Sequence, residues 1–293
     1  MRILCKPDVF LSQEIVSLTE NKQFRSSQQS QSAGTLCDSN ERQKFERKIE
    51  LKMTIKSEIA SEGFVIINEI YSEIEIEKII HEIEKVTENE TENSTFRKSE
   101  DLFAIRQFHK EIPKSLNIIF NQNLKEIINQ NFGENFFITK SIYFDKPEKS
   151  NWFVAYHQDL TISVDKKVEI ENFEHWTNKQ NQFAVQPPTE ILSKNFTIRI
   201  HIDKTTKENG ALKVLNKSHH KGIVRTENIE VKNEIETICE VEKGGIMIMK
   251  PLLFHSSSKT TNNERRRVFH IEFSNQKLPN EIEWSEKMNF SDN

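Results

Sequence analysis

Cysteine is scarce in this chain, and the three present, Cys5, Cys37 and Cys239, are too few and too scattered for a disulfide framework or a thiolate zinc site. A reduced, cytoplasmic setting is the expectation. Long apolar runs are missing as well, since no stretch approaches the roughly 18 to 20 apolar residues that cross a bilayer. Lys6 and Asp8 interrupt any apolar segment in the first eleven residues, so no secretory signal is expected there. There is no basic surplus either. The formal charge is −4 with Lys and Glu mixed throughout, which argues against a general nucleic-acid binder. Membrane and nucleic acid are thereby set aside as partners. Oligomeric state leaves no mark on the sequence.

What is present divides the chain in two. The stretch 21–47 is rich in Gln, Ser, Asn and charge, with little apolar surface to offset the entropy of ordering. Residues 1–52 are therefore expected to form a disordered or loosely attached extension, and residues 53–293 the folded domain. From Leu51 the pattern is regular. Leu51, Ile55 and Ile59 mark a short amphipathic helix that runs into Gly63 and a strand over 64–67. Ser72 and Glu75 have the spacing of a capping box. The residues behind it, Ile76, Ile79, Ile80 and Ile83, predict a helix with one buried stripe. A further helical stretch is expected over 113–131.

After Gly133 the signal changes to short β-rich runs at 136–144, 154–157, 160–164, 183–185, 196–202, 211–215, 238–241, 246–249 and 267–273. Turns rich in Gly, Asn, Pro and Lys separate them. Helices followed by eight or nine short strands predict an α+β domain whose second half is a sandwich or jelly roll.

Within those strands His157 and Asp159 stand two residues apart. In extended chain that spacing turns an imidazole and a carboxylate to the same side. A distant third ligand would complete a face of two histidines and one carboxylate, leaving coordination positions open. His255, just beyond the apolar run 246–249, is the candidate. Spacing alone does not decide the matter, because His201-Ile202-Asp203 has the same form.

The surroundings favour the first pair. Phe144-Asp145-Lys146-Pro147, Asn151-Trp152 and His157-Gln158-Asp159-Leu160-Thr161 resemble motifs of the phytanoyl-CoA dioxygenase family of iron(II)/2-oxoglutarate oxygenases. So, in order, do Gln186-Pro187-Pro188, Arg199 to Asp203, Asn209-Gly210-Ala211-Leu212, Ser218-His219, Gly244-Gly245, Pro251 to Ser257 and Arg265 to Val268. The resemblance runs from about Gly63 to Trp284. It implies a double-stranded β-helix (a jelly roll) with helices packed on one side. It also implies Fe(II) held by His157, Asp159 and His255, with 2-oxoglutarate and O2 as cosubstrates and hydroxylation of an unactivated C–H bond as the outcome. Asp159 would then be a ligand and not an acid–base catalyst.

Further site residues come from the same resemblance. Arg266 matches the residue that pairs with the far carboxylate of 2-oxoglutarate, for which a planar guanidinium is suited. Arg265 and Arg267 should turn to the opposite face, although a one-residue slip would exchange these roles. Ser257 matches a hydroxyl that joins the Arg, and is otherwise a turn serine. Arg199 and Arg106 match positions that approach the cosubstrate in some relatives, with an internal Arg199–Asp203 ion pair as the alternative. One departure is visible: Asn216-Lys217 stands where the family has Pro-Gly before Ser-His.

Other residues receive plainer assignments. His81 sits on a Glu-rich helix, and His109 and His175 lie among polar residues. Trp152, Phe153, Tyr156, Trp176 and Trp284 are either substrate platforms or core. The loop 165–188, with Phe173, Trp176 and Phe183, is expected to build part of the pocket. Two rivals to the oxygenase are a catalytically silent relative that only binds a small molecule or metal, and a metal-dependent hydrolase or isomerase on the same fold.

Overall fold

The computed structural model describes residues 55–88, 95–99, 103–150, 152–179 and 182–290. The extension expected over residues 1–52 lies outside them, as does Leu51 of the first helix.

Alternation of side chains along antiparallel strands builds the main sheet. Its order is β1 (Phe64–Ile67), β12 (Ile246–Met249), β9 (Phe196–His201), β14 (Arg266–Ser274), β4 (Phe137–Lys146), β3 (Phe103–Arg106) and β2 (Phe96–Lys98). In β9, Phe196, Ile198 and Ile200 join a large core with the helices, and in β14 Phe269, Ile271 and Phe273 do the same. The intervening residues of both strands face the other way. Phe196 is the centre of that core, stacked on Phe132 at 3.7 Å and on Phe273 at 4.9 Å between ring centroids. Such pairs contribute about 0.5–1.5 kcal/mol beyond the area they bury.

A second sheet, β11 (Glu236–Cys239), β10 (Leu212–Leu215), β13 (His255–Ser257) and β5 (Val154–His157), lies against the inner face of the first. A small third sheet is formed by β6 (Ile162–Val164), β8 (Gln182–Gln186) and β7 (Glu174–Lys179). This is the double-stranded β-helix with helices on one side. Its interior is uneven. Where β1 and β12 meet β10 and β11, Met247, Met249, Leu212, Val214 and Cys239 fill the space, with Phe64 and Ile66 packed on them. Where β9, β14 and β4 meet β13 and β5, polar side chains leave a cavity.

The helix Glu73–Glu88 buries Ile76, Ile79 and Ile83, and the capping box ahead of it is formed. Ser72 N donates to Glu75 Oε2 at 2.8 Å, and Glu75 N donates to Ser72 Oγ at 3.3 Å. Replacing Ser72 by Ala should cost about 1 kcal/mol. Chemical denaturation is the check, and unchanged stability would show the cap contributes nothing.

The single helix expected over 113–131 is instead broken into a 3-10 turn, Pro113–Ser115, and two helices, Leu116–Ile119 and Gln122–Asn131. Asn121 causes the break. It is extended at φ −64°, ψ 169°, and its side chain accepts from Leu124 N at 2.9 Å, capping the second helix. Strands 154–157 and 246–249 stand where the sequence puts them. β7 was not expected, because its residues Glu174-His175-Trp176-Thr177-Asn178-Lys179 are polar and mostly exposed. β2, β3 and β13 are only three or four residues long and carry too little pattern to read.

Candidate active site

His157 ends β5 and His255 begins β13, and the two are direct cross-strand partners. Their rings stand side by side at 4.2 Å between centroids. Each Nδ1 lies 2.9 Å from a carbonyl two residues back, Ala155 O for His157 and Leu253 O for His255. A carbonyl only accepts, so each Nδ1 carries the proton and each Nε2 presents a lone pair. Asp159 completes the group. Its Oδ1 is 3.9 Å from His157 Nε2 and its Oδ2 is 3.8 Å from His255 Nε2. All three donor atoms lie within 4.8 Å of one another, a spacing that one divalent ion can bridge.

The electrostatics suit a cation there. Burial pushes His255 down to about 4, which keeps it neutral. Burial would raise Asp159, but the facing His255, His270 and His157 and the Lys140 ammonium outweigh it and hold the carboxyl below its usual value. Asp159 Oδ2 is buried with no hydrogen-bond partner, and a buried charge left so is costly unless something completes it. Two imidazoles with their Nε2 atoms turned towards an under-coordinated carboxylate fit ferrous iron. Asp159 N donates to Pro251 O at 2.9 Å. Gln158, turned away from the group, ties this segment to Gly222 O and Leu252 O at 2.7 Å each.

The rival pair is built otherwise. His201 Nδ1 is 2.6 Å from Thr205 Oγ1, and Asp203 forms a two-point ion pair with Arg267 at 2.9 and 2.7 Å. The Arg199–Asp203 pair weighed from the sequence is therefore absent.

The three consecutive arginines at the start of β14, Arg265 just ahead of it and Arg266 and Arg267 within it, separate by alternation. Arg265 holds Asp145 through two hydrogen bonds and Arg267 holds Asp203, both away from the cavity. Arg266 faces into it, 3% exposed, with Nε and one terminal nitrogen unpartnered. Burial, with Arg199 nearby, pushes it down to about 9, so it stays a cation at neutral pH. Ser257 lines the same cavity, its Oγ buried and unpartnered. Arg199 donates to His270 Nδ1 at 3.1 Å and keeps an unpartnered Nε. Arg106, on β3 of the same sheet, also lines the cavity. The cavity is about 530 Å³, within the range of small-molecule sites.

Several of its residues escaped the sequence reading. His270 donates from Nε2 towards Glu272 at 3.3 Å, and Glu272 accepts from Lys140 at 2.8 Å. Asp159, His270 and Glu272 also bring donor atoms within 4.8 Å of one another, but the Lys140 ammonium already sits on Glu272. The signal was available: His270 and Glu272 stand four and six residues beyond Arg266, in phase on one strand face. From the stretch 165–188 the cavity takes Thr177, Lys179, Gln182 and Ala184. Phe173 is instead buried in a separate core against which Trp176 and Phe183 pack. Trp152 does line the cavity, whereas Tyr156 bonds Glu236 outside it.

His109 also departs from expectation. It is buried, with Nδ1 2.6 Å from Ser141 Oγ and 3.8 Å from Glu286. Lys217 takes the left-handed conformation, φ 64°, that glycine fills at least cost. The turn it makes places Ser218 Oγ to accept from Phe254 N at 2.9 Å, directly ahead of His255.

Comparison with known proteins agrees with this architecture. No curated protein matches the chain by sequence. Among solved structures, the non-heme alpha ketoglutarate dependent carbocyclase SnoK from nogalamycin biosynthesis is similar at TM-score 0.55 and 14% identity, over 75% of this chain and 83% of that one. The epimerase SnoN from the same biosynthesis gives 0.58 and 10%, over 77% and 81%. EctD from S. alaskensis, solved with 2-oxoglutarate and 5-hydroxyectoine, gives 0.58 and 13%, over 75% and 74%. At such identities these likenesses speak for the fold. The phytanoyl-CoA dioxygenase (PhyH) family matches residues 59–268, well over half of the chain. The chain therefore belongs to the phytanoyl-CoA dioxygenase family of iron- and 2-oxoglutarate-dependent oxygenases.

Proposed function

We propose that this protein is a dioxygenase that consumes 2-oxoglutarate and O2 at Fe(II) and hydroxylates an unactivated C–H bond of a small molecule. His157, Asp159 and His255 hold the metal. Arg266 takes the far carboxylate of 2-oxoglutarate, with the Ser257 hydroxyl beside it, and Arg199 borders the cosubstrate from β9. When bound, iron, cosubstrate and oxygen together supply the oxidant. The chain's own residues fix the donor set, neutralise the dianion and shield the reacting carbon from water.

The observation that carries this reading is Arg266, a buried guanidinium without a counter-charge, aimed into the cavity that holds the two imidazoles and the carboxylate. A silent relative has no use for it, and a hydrolase or isomerase needs only the metal. The domain that does this work is assigned to residues 53–293.

The test is to incubate the protein with Fe(II), ascorbate, O2 and 2-oxoglutarate together with metabolite extract. Succinate should form in step with a product heavier by one oxygen atom. If 2-oxoglutarate is not consumed under any of these conditions, the reading fails. If it is consumed but the product gains no oxygen, oxygenase-type chemistry survives and hydroxylation does not.

A further inference from the structure

The cavity carries cations that the metal and cosubstrate leave unused. Arg106 on β3, half-buried, and Lys179 on β7, exposed, both line it, and among the described residues neither side chain has a hydrogen-bond or ion-pair partner. A third cation, Lys140, is committed to Glu272 at 2.8 Å and Thr161 O at 3.3 Å.

Register separates Arg106 from the cosubstrate end. Arg106 pairs with Ile142, Ile142 with His270, and His270 with Arg199. At about 4.8 Å per strand, Arg106 and Arg199 stand roughly 14 Å apart across the sheet. Arg266 lies four residues from His270 along β14, about 13 Å at the usual rise. Family resemblance brings Arg106 towards 2-oxoglutarate, whereas these spacings set it apart from the guanidinium that faces the far carboxylate.

Two further features describe what Arg106 and Lys179 would meet. Ile142, the cross-strand partner of Arg106, and Phe144 of β4, with Trp152 stacked on Phe144 at 6.2 Å and 26°, form an apolar stretch of the same lining. The cavity is lined by five cationic side chains, Arg106, Lys140, Lys179, Arg199 and Arg266, against two carboxylates, Asp159 and Glu272. A ferrous ion and a dianionic cosubstrate cancel each other's charge, so the positive surplus persists when both are bound. A neutral or cationic substrate would leave that surplus uncompensated in a partly desolvated space.

We infer that the substrate is an anionic small molecule. An oxyanion, either a carboxylate or a phosphate ester, sits on Arg106 and Lys179, and its apolar body lies against Ile142, Phe144 and Trp152. This rests on the oxygenase reading for the position of the reacting carbon, but the anion site is a matter of binding alone.

The test is made without turnover. Protein loaded with Ni(II) and saturating 2-oxoglutarate, which keeps the probes off Arg266, is titrated with four probes of one shape. These are 3-phenylpropionate, 2-phenylethyl phosphate, 3-phenylpropan-1-ol and 3-phenylpropylamine, with Kd read from tryptophan fluorescence and ligand-observed NMR. At least one of the two anions should bind about tenfold or more tighter than the alcohol and the amine. Which anion wins separates carboxylate from phosphate. The Arg106→Gln/Lys179→Gln double variant should lose that preference while its Kd values for Ni(II) and 2-oxoglutarate stay as in the wild type.

The inference is overturned if the alcohol or amine matches the anions, including the case where none binds, or if the preference survives the double variant. It is equally overturned if Arg106→Gln alone weakens 2-oxoglutarate, which would make Arg106 a cosubstrate residue. A wild-type protein that shows no affinity for 2-oxoglutarate would sink the oxygenase reading instead, and the anion site would then stand if the Arg106→Gln/Lys179→Gln variant lost the selectivity and fall if it kept it.

Discussion

Asp159→Ala protein is expected to bind ferrous iron at least about 100-fold more weakly than the wild type and to lose turnover with it. The size of the effect follows from what each donor contributes. His157 and His255 each engage a backbone carbonyl through Nδ1, which leaves Nε2 as the metal-facing donor, and an imidazole bound through it brings no negative charge. Asp159 alone brings negative charge to balance the metal. Removing it takes away one ligand of three and all of the local charge compensation. His157→Ala should also lose the metal, although it leaves the carboxylate in place.

The apo protein offers a second, independent reading of the same variant. Asp159 Oδ2 is buried without a hydrogen-bond partner, but against that burial the facing imidazoles and the Lys140 ammonium hold the carboxyl below its usual value, so the ionised side chain stabilises the metal-free fold at neutral pH. Apo Asp159→Ala should therefore melt below apo wild type, whereas added Fe(II) should raise the wild-type Tm and not that of the variant. Anaerobic calorimetric titration and thermal melts measure both. If Asp159→Ala retains wild-type iron affinity, the donor set is misassigned. If it melts as high as the apo wild type, those neighbours do not stabilise the carboxylate in the empty site.

The parts of the fold that were legible in the sequence share one property: a local rule decided them. The stripe Ile76, Ile79, Ile83 and the Ser72–Glu75 box need only helix geometry. The apolar runs at 154–157 and 246–249 need only alternation and length. What escaped depends on partners remote in the chain. β7 is polar because it pairs with β8 over the cavity, so it lacks the apolar face that marks a strand. Asn121 breaks a helix that composition alone would continue, because its side chain bonds Leu124 N, Ile70 O and Glu75 together.

The site divides along the same line. Two ligand-type residues spaced i and i+2 are visible in any strand, but this chain has two such pairs. In the fold they differ through Thr205 and Arg267, which occupy His201 and Asp203 and lie four and sixty-four residues away. Lys140, His270 and Glu272 form a chain across two strands, β4 and β14, whose members look unremarkable one by one. Arg265, Arg266 and Arg267 are three identical letters. Only their register against Asp145 and Asp203 shows which of them lacks a carboxylate.

That register is what an Arg266→Ala variant would test. Its Kd for 2-oxoglutarate should rise roughly 100-fold, the scale of losing a two-point charge-assisted contact in a buried site. Metal affinity should be unchanged, since Arg266 touches none of the three donors. Arg266→Lys should recover only part of the loss, because an ammonium keeps the charge but not the fork that grips both carboxylate oxygens.

The flanking residues supply the contrast. Arg265→Ala and Arg267→Ala each strand a carboxylate, Asp145 or Asp203, so they should lower Tm while leaving cosubstrate affinity near wild type. Arg266 itself is an unpaired buried cation in the empty fold, and its removal should leave the apo Tm unchanged or raise it. Saturating 2-oxoglutarate should then stabilise the metal-loaded wild type and both flanking variants, but scarcely the Arg266→Ala protein. Equal cosubstrate affinity in Arg266→Ala and wild type would mean that the guanidinium facing the cavity is not the group that receives the keto acid, and the claim built on alternation along β14 would fall with it.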